Sequence, residues 1–368
     1  MTWRPVHRFM HLPGGLRLVN RRGPFVEFDA GDGKGPHKLL ELPHYDALYV
    51  QVLSLGLLPL GVEIVGSRDE QLGLKPSSFR SLDVRSRIPW LCGQLADSWQ
   101  CLAHAATLEA KPRQLLEDIA TRISHELRNC DDLLFNLSKA YEQQRSSALR
   151  AGKLVGTRFI DEFTSAIYQA LEAFLVRSCV LRDSLAEFYA WISRSPSEGP
   201  RITTLSGLLK ILKRNPGKDR FASQLSIAAQ ADGWLHTLGA YRDLIVHGAP
   251  ISHADGLRVV VVYEAEMKNG LRPLAIKMQM PSNPSLISRE RSAGRLAGTK
   301  DRAKLSVASA QNAADTFTDA LEYSAMALRN LTALAETALT LSPIAPVMPH
   351  LGPDDILELT IDDVIPPV

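Results

Sequence analysis

The chain has 368 residues, 45% of them hydrophobic, and a formal charge of only +2. With a mean hydropathy near zero, this excludes a chain disordered throughout and gives no charge excess that would mark a nucleic-acid binder, so any electrostatic footprint has to be local. Four cysteines, Cys92, Cys101, Cys130 and Cys179, are too sparse for a disulfide framework and fall in helix-like segments, as thiols of a reducing compartment do.

The opening MTWRPVHRFMHLPGG is basic but lacks a continuous apolar core, and no later run is long enough to cross a bilayer uninterrupted. The expectation is a cytoplasmic protein with no membrane partner. Over residues 1–90, Gly and Pro punctuate short runs of strand composition, LRLV, FVEFDA, ALYVQVLSLG and VEIVG. These predict a small β-rich N-terminal region.

The texture changes at IPWLCGQLADSWQCLAHAATLEA, where apolar residues recur three and four apart. Residues 91–345 are expected to form a helical domain. A long helix is predicted from about Arg113 to Leu149, after Lys111-Pro112, and a second over the segment beginning at Phe159. In that segment Phe159, Phe163, Ile167, Leu171, Phe174, Val180, Leu185, Phe188 and Ile192 trace a stripe wide enough for a bundle interior.

TTLSGLLKILKR, with a Ser/Thr cap, and Ser223 to Val246 predict two shorter helices. The period then switches, because LRVVVVYEAEM and RPLAIKMQM flank Asn269-Gly270, a strong hairpin signal, placing a β-hairpin at about 256–281. SNPSLISRERSAGRLAGTKDRAKLS reads as a polar basic connection into a last helix from about Ala308 to Leu341. Residues 346–368 form an acidic, Pro-bounded tail. The fold class is therefore α+β, mainly helical.

The chemistry concentrates in WLHTLGAYRDLIVHGAPIS. Trp234, Leu238, Tyr241 and Ile245 share one helix face and predict core packing. Arg242 flanks that face, whereas on a regular α-helix His247 points about 140° away from it. Gly248 and Pro250 signal that the helix stops here, freeing His247 to leave the helical path. An imidazole that moves protons beside a guanidinium that holds anionic oxygens suits phosphodiester chemistry.

YRDLIVHG resembles the signature of HEPN domains, an Arg, a polar residue directly after it, a short apolar stretch and a His at the end of a bundle helix. The positions are Arg242, Asp243 and His247, and the looser resemblance spans about residues 155–345. It implies a helical bundle that dimerises and a metal-independent ribonuclease without cofactor, in the manner of a toxin or host-defence effector. By this resemblance His247 transfers protons as the RNA 2′-OH attacks the adjacent phosphate, Arg242 stabilises the developing charge, and Asp243 orients His247 or the Arg. Ala249 stands where toxins paired with a nucleotidyltransferase antitoxin commonly carry Tyr, so neutralisation by modification there is not implied. A bundle that has kept the fold and lost the chemistry, acting as a dimerising scaffold for a regulatory protein partner, is the alternative.

Two basic clusters flank the motif: Lys210, Lys213, Arg214, Lys218 and Arg220 before it, and Arg289, Arg291, Arg295, Lys300, Arg302 and Lys304 after it. Both are candidates for RNA-phosphate contact, although neither carries aromatics for base stacking. ISHELRN resembles the phospho-acceptor box of sensor histidine kinases, but no ATP-binding loop follows, and a solvated helix face explains His125 and Glu126 better. Cys101, His104, His125 and Cys130 match no common zinc spacing, so no metal site is expected. GDGKGPHK lacks the Gly-Lys-Ser/Thr ending of a phosphate loop and reads as a turn.

Overall fold

A computed structural model describes residues 7–21, 23–29, 36–44, 47–65, 92–109, 113–194, 200–253, 259–281, 283–293 and 318–348. Strands β1 (His7–His11), β2 (Arg17–Arg21), β3 (Phe25–Asp29), β4 (Pro36–Glu41) and β5 (Gly61–Val65) form an antiparallel sheet in the order β4-β3-β2-β1-β5. Met10, Leu18, Val26 and Phe28 bury one face of it. Next to them the buried Arg8, paired with Asn20 across β1 and β2, donates from Nη1 to Asn20 Oδ1 at 2.8 Å.

ALYVQVLSLG does not extend this sheet. Its central residues form helix α1 (Leu48–Ser54), because Leu48 and Val52, four apart, both reach the sheet's core while Tyr49, Val50 and Leu53 face solvent. A buried i, i+4 pair outweighs the strand preference of its valines.

Helices α2 (Gly93–Leu108), α3 (Gln114–Arg150), α4 (Thr164–Ser193) and α9 (Ala320–Leu339) form the main bundle. Helix α3 packs along α2 and α4, and α9 lies against α4. Trp99 of α2 meets Phe188 of α4 edge-on at 4.8 Å, both sealed from solvent. The predicted stripe on α4 is corrected at two places. Phe159 belongs to a two-residue strand, β6 (Arg158–Phe159), and Val180 is 39% exposed; a stripe drawn across the Ser178-Cys179 step drifts off the buried face.

The expected single helix from Ser223 to Val246 is two, α6 (Arg220–Ala228) and α7 (Trp234–Asp243). Gly233 separates them at a point where a Cβ would collide with the Ala228 carbonyl. Before them, α5 (Leu205–Arg214) opens on Thr204, whose hydroxyl accepts the Gly207 N–H. The hairpin strands are β7 (Val260–Glu264) and β8 (Leu274–Met278), completing a β6-β7-β8 sheet. Their turn is wider than a two-residue one, with Met267 N–H bonded to Leu271 O and Ala265 N–H to Pro273 O.

Part of the supposed polar connection is helix α8 (Pro284–Ser292). The Asn283 side chain accepts the Leu286 N–H and Pro284 occupies the first turn, a start signal that charge had masked. Residues 301–317, where the last helix was expected to begin, lie outside the described residues, as does the tail beyond 348.

Sheet and bundle meet at a 3₁₀ turn, Pro13–Gly15. Gly14 and Gly15 have φ of 71° and 72°, and added Cβ atoms would lie 2.7 Å from Ala275 Cβ and 2.5 Å from the Tyr141 carbonyl oxygen. Only glycine allows both the left-handed backbone and this approach to α3 and β8. Close by, buried Asp319 accepts from the Tyr141 hydroxyl and from the amides of Met278, Leu321 and Glu322 at 2.9–3.1 Å. One carboxylate thus ties α3, β8 and the start of α9 together. Among the described residues, no helix is long and apolar enough to cross a membrane.

Candidate functional site

Leu235, Leu238, Tyr241 and Leu244 form the buried face of α7, while Trp234 and Ile245 are only partly buried. The stripe read in the sequence holds at Leu238 and Tyr241, while at its two ends Leu235 and Leu244 replace Trp234 and Ile245 as the buried residues. Tyr241 donates to Pro281 O at 2.7 Å and stacks edge-on against Tyr323 of α9. From α4, Cys179 Sγ donates to Leu238 O. These contacts fix the helix that carries the motif.

The helix does not stop ahead of His247. It widens into a π turn, Leu244–Gly248, closed by Ala249 N–H to Leu244 O at 2.8 Å, and ends at Ala249 in extended backbone. His247 thus stays on the helical path, correcting the expectation that Gly248 and Pro250 release it. An i→i+5 turn holds more residues than an α turn, so five residues overshoot one revolution by less than the ~140° of a regular helix. Arg242 and His247 consequently diverge less than sequence spacing implies.

Arg242 Nη1 donates to Asp243 Oδ1 at 2.9 Å. This bond raises the guanidinium's already high pKa and keeps it charged. Asp243 therefore orients the Arg rather than the His. Arg242 is 39% exposed, and His247 is exposed with no hydrogen-bond partner among the described residues. Arginine N–H groups that Asp243 leaves unused can hold an anion, and the exposed imidazole five residues further along the same helix end can move a proton.

Of the residues expected to contact RNA, Arg291 lies against the π turn. Its Cδ lies 3.9 Å from where a Gly248 Cβ would be, and its guanidinium donates to the His253 carbonyl. Arg289, on the same helix, is exposed beside Glu290. Lys210, Lys213 and Arg214 are exposed at the end of α5. Arg295 lies outside the described residues.

Sequence reasoning missed a second Arg-Asp pair, Arg182-Asp183 on α4, packed against the motif helix. The repeated dipeptide in VLRDSL and AYRDLI was the available signal. It also missed a Ser–His–acid array. Ser138 Oγ lies 3.1 Å from His11 Nδ1, and His11 Nε2 lies 3.5 Å from Glu63. Ser138 and His11 are each 1% exposed, which denies a substrate access to the hydroxyl. Burial lowers the His11 pKa, favouring the neutral ring, and the array joins the sheet to α3.

Glu126 is buried and paired with Arg177, not part of a solvated face, while His125 is exposed. Cys130 is sealed against Ser178, its thiol pushed up to about 12 by burial. Among the described residues no three His, Cys, Asp or Glu side chains converge as metal ligands would. No family model, curated protein or solved structure matches the chain.

Proposed function

We propose that the protein is a metal-independent RNA endonuclease of the HEPN type. The observation that carries this reading is the presentation, within six residues of a buttressed helix end, of an ion-paired but accessible Arg242 and an unpartnered, exposed His247. The π turn between them adds support, since such turns occur often at functional sites. His247 takes the proton of an RNA 2′-OH as its oxygen attacks the neighbouring phosphorus. The P–O5′ bond breaks, the proton is delivered to the leaving 5′-oxygen, and Arg242 holds the non-bridging oxygens. The products are a 2′,3′-cyclic phosphate and a 5′-OH.

The reading includes a homodimer in which two motif helices meet. Val246, next to His247 on the π turn, and Leu286 on α8 are 48% and 40% exposed and supply apolar surface for a second copy. A cytoplasmic toxin or host-defence effector is the setting this activity fits.

The test is RNA cleavage with EDTA present, comparing wild type with His247→Ala and analysing the ends formed. Wild type should cut and leave cyclic phosphates, and the variant should lose at least about a hundredfold, the lower range for general acid–base catalysis. A folded, dimeric wild type that leaves RNA intact replaces this reading with the non-catalytic scaffold.

A further inference from the structure

Arg182 lies across the motif helix at Gly239. Its Nη1 sits 2.9 Å from the position a Gly239 Cβ would occupy, so the guanidinium rests on a surface that only glycine leaves open. Gly239 precedes Arg242 by three residues, one turn back on the same flank of α7. Along the helix the order is therefore Arg182, Arg242, His247.

The Arg182 guanidinium is held from behind. Both Nε and Nη2 reach Asp183 Oδ1 at 3.0 Å, and the same oxygen accepts the Leu205 N–H at 3.1 Å, which anchors the pair to the start of α5. Nη1 has no acceptor among the described residues. With a side chain only 14% exposed, Arg182 keeps one charged edge against α7 at Gly239 and has little freedom to lose on binding. Cys179 lies between the two helices near both Arg-Asp pairs: burial pushes its thiol up to about 11, the two arginines pulling down and Asp183 and Asp243 pushing up.

Each arginine is thus fixed by the aspartate that follows it and has N–H donors left over, and the two stand along one helix. We propose that Arg182 is a second phosphate-binding side chain, gripping the RNA phosphate one step along the strand from the one cleaved; this rests on the RNA function proposed above. The strand then runs along α7, with the scissile phosphate at Arg242 and His247 and its neighbour at Arg182. Asp183 is a positioning residue for that grip.

The test uses the full chain in a cleavage-blocked His247→Ala background, binding a labelled single-stranded RNA 12-mer over a series of salt concentrations. Losing one phosphate contact lowers the slope of log K against log salt by about 0.7 for a single strand. Arg182→Gln should show that drop with about tenfold weaker binding at low salt, a typical loss for a charged hydrogen bond. Arg182→Lys should keep the slope.

Gly239→Ala separates this from simple loosening of the fold. The added methyl would lie 2.9 Å from Nη1 and push the guanidinium off its place at Gly239, while alanine improves helix propensity, so the slope should fall as in Arg182→Gln with thermal stability within a few degrees of wild type. If Arg242→Gln lowers the slope and neither Arg182→Gln nor Gly239→Ala does, Arg182 is structural and the inference is overturned. If none of the variants changes the slope, or no RNA binds, this inference and the RNA reading fall together. If the slopes respond while wild type leaves RNA uncut, the phosphate grip stands and the nuclease reading alone fails.

Discussion

Asp319→Asn should flatten part of the protein's dependence of stability on pH. Burial raises this carboxyl from its ordinary 3.8 to about 6, against the pull of the amide and hydroxyl donors around it. Its folded pKa lies above its unfolded one, so between about pH 4 and pH 6 the native state keeps a proton that the unfolded chain has released. Below that window the group contributes no pH-dependent penalty. Rising pH through it costs stability, reaching about 3 kcal/mol once the native carboxyl is ionised. Asparagine has no such titration, but its NH₂ cannot accept the donors that the second carboxylate oxygen satisfies, the Met278 amide and the Tyr141 hydroxyl. That loss costs about 1–3 kcal/mol at every pH. The variant should therefore be clearly weaker than wild type near pH 4 and close to it, or stronger, near pH 7. Urea unfolding of both proteins at a series of pH values, compared at equal m, measures the difference directly. A difference that stays constant across the range would mean that Asp319 is ionised throughout and that burial does not govern it.

Gly15→Ala should destabilise by about 1–3 kcal/mol, since it adds strain at positive φ and sets a Cβ 2.5 Å from the Tyr141 carbonyl oxygen. Hydrogen exchange should place the loosening at β1 and the facing turns of α3, and uniform protection there would argue against it. Glu63 is held down to about 2, first by its bond to His11, so it contributes stability above its ordinary 4.5 that is lost as pH falls toward 2. Glu63→Gln should therefore weaken the protein at neutral pH and converge with wild type in acid, as followed by circular dichroism.

The mainly helical α+β class was legible because long periodic segments announce themselves; Gln114–Arg150 matches its predicted bounds within a residue. Shorter elements depended on details a pattern cannot resolve. The turn at 47–56 had strand composition, and its identity was decided by which two side chains another sheet could bury. Helix α8 was hidden by its charges, although Asn283-Pro284 marked its start. The motif helix and its Arg-Asp pair could be read directly, whereas the π turn could not, because an i→i+5 closure leaves no compositional trace. Arg182 escaped notice for another reason: its relation to Arg242 exists only through the packing of α4 on α7, sixty residues apart in sequence.

The Tyr141–Asp319 bond joins residues 178 positions apart, and His11 meets Ser138 across 127. The second of these can repay its loop-closure entropy once residue 138 has been made, the first only after residue 319. During synthesis, the N-terminal sheet must wait for α3 before it can seat its glycine turn, and the seam around Tyr141 stays open until residue 319 leaves the ribosome. A nascent chain halted before that point would keep the Met278 amide and the Tyr141 hydroxyl without their acceptor. Helices α2 to α8 would then stand without α9, as a partly assembled bundle with its seam still open.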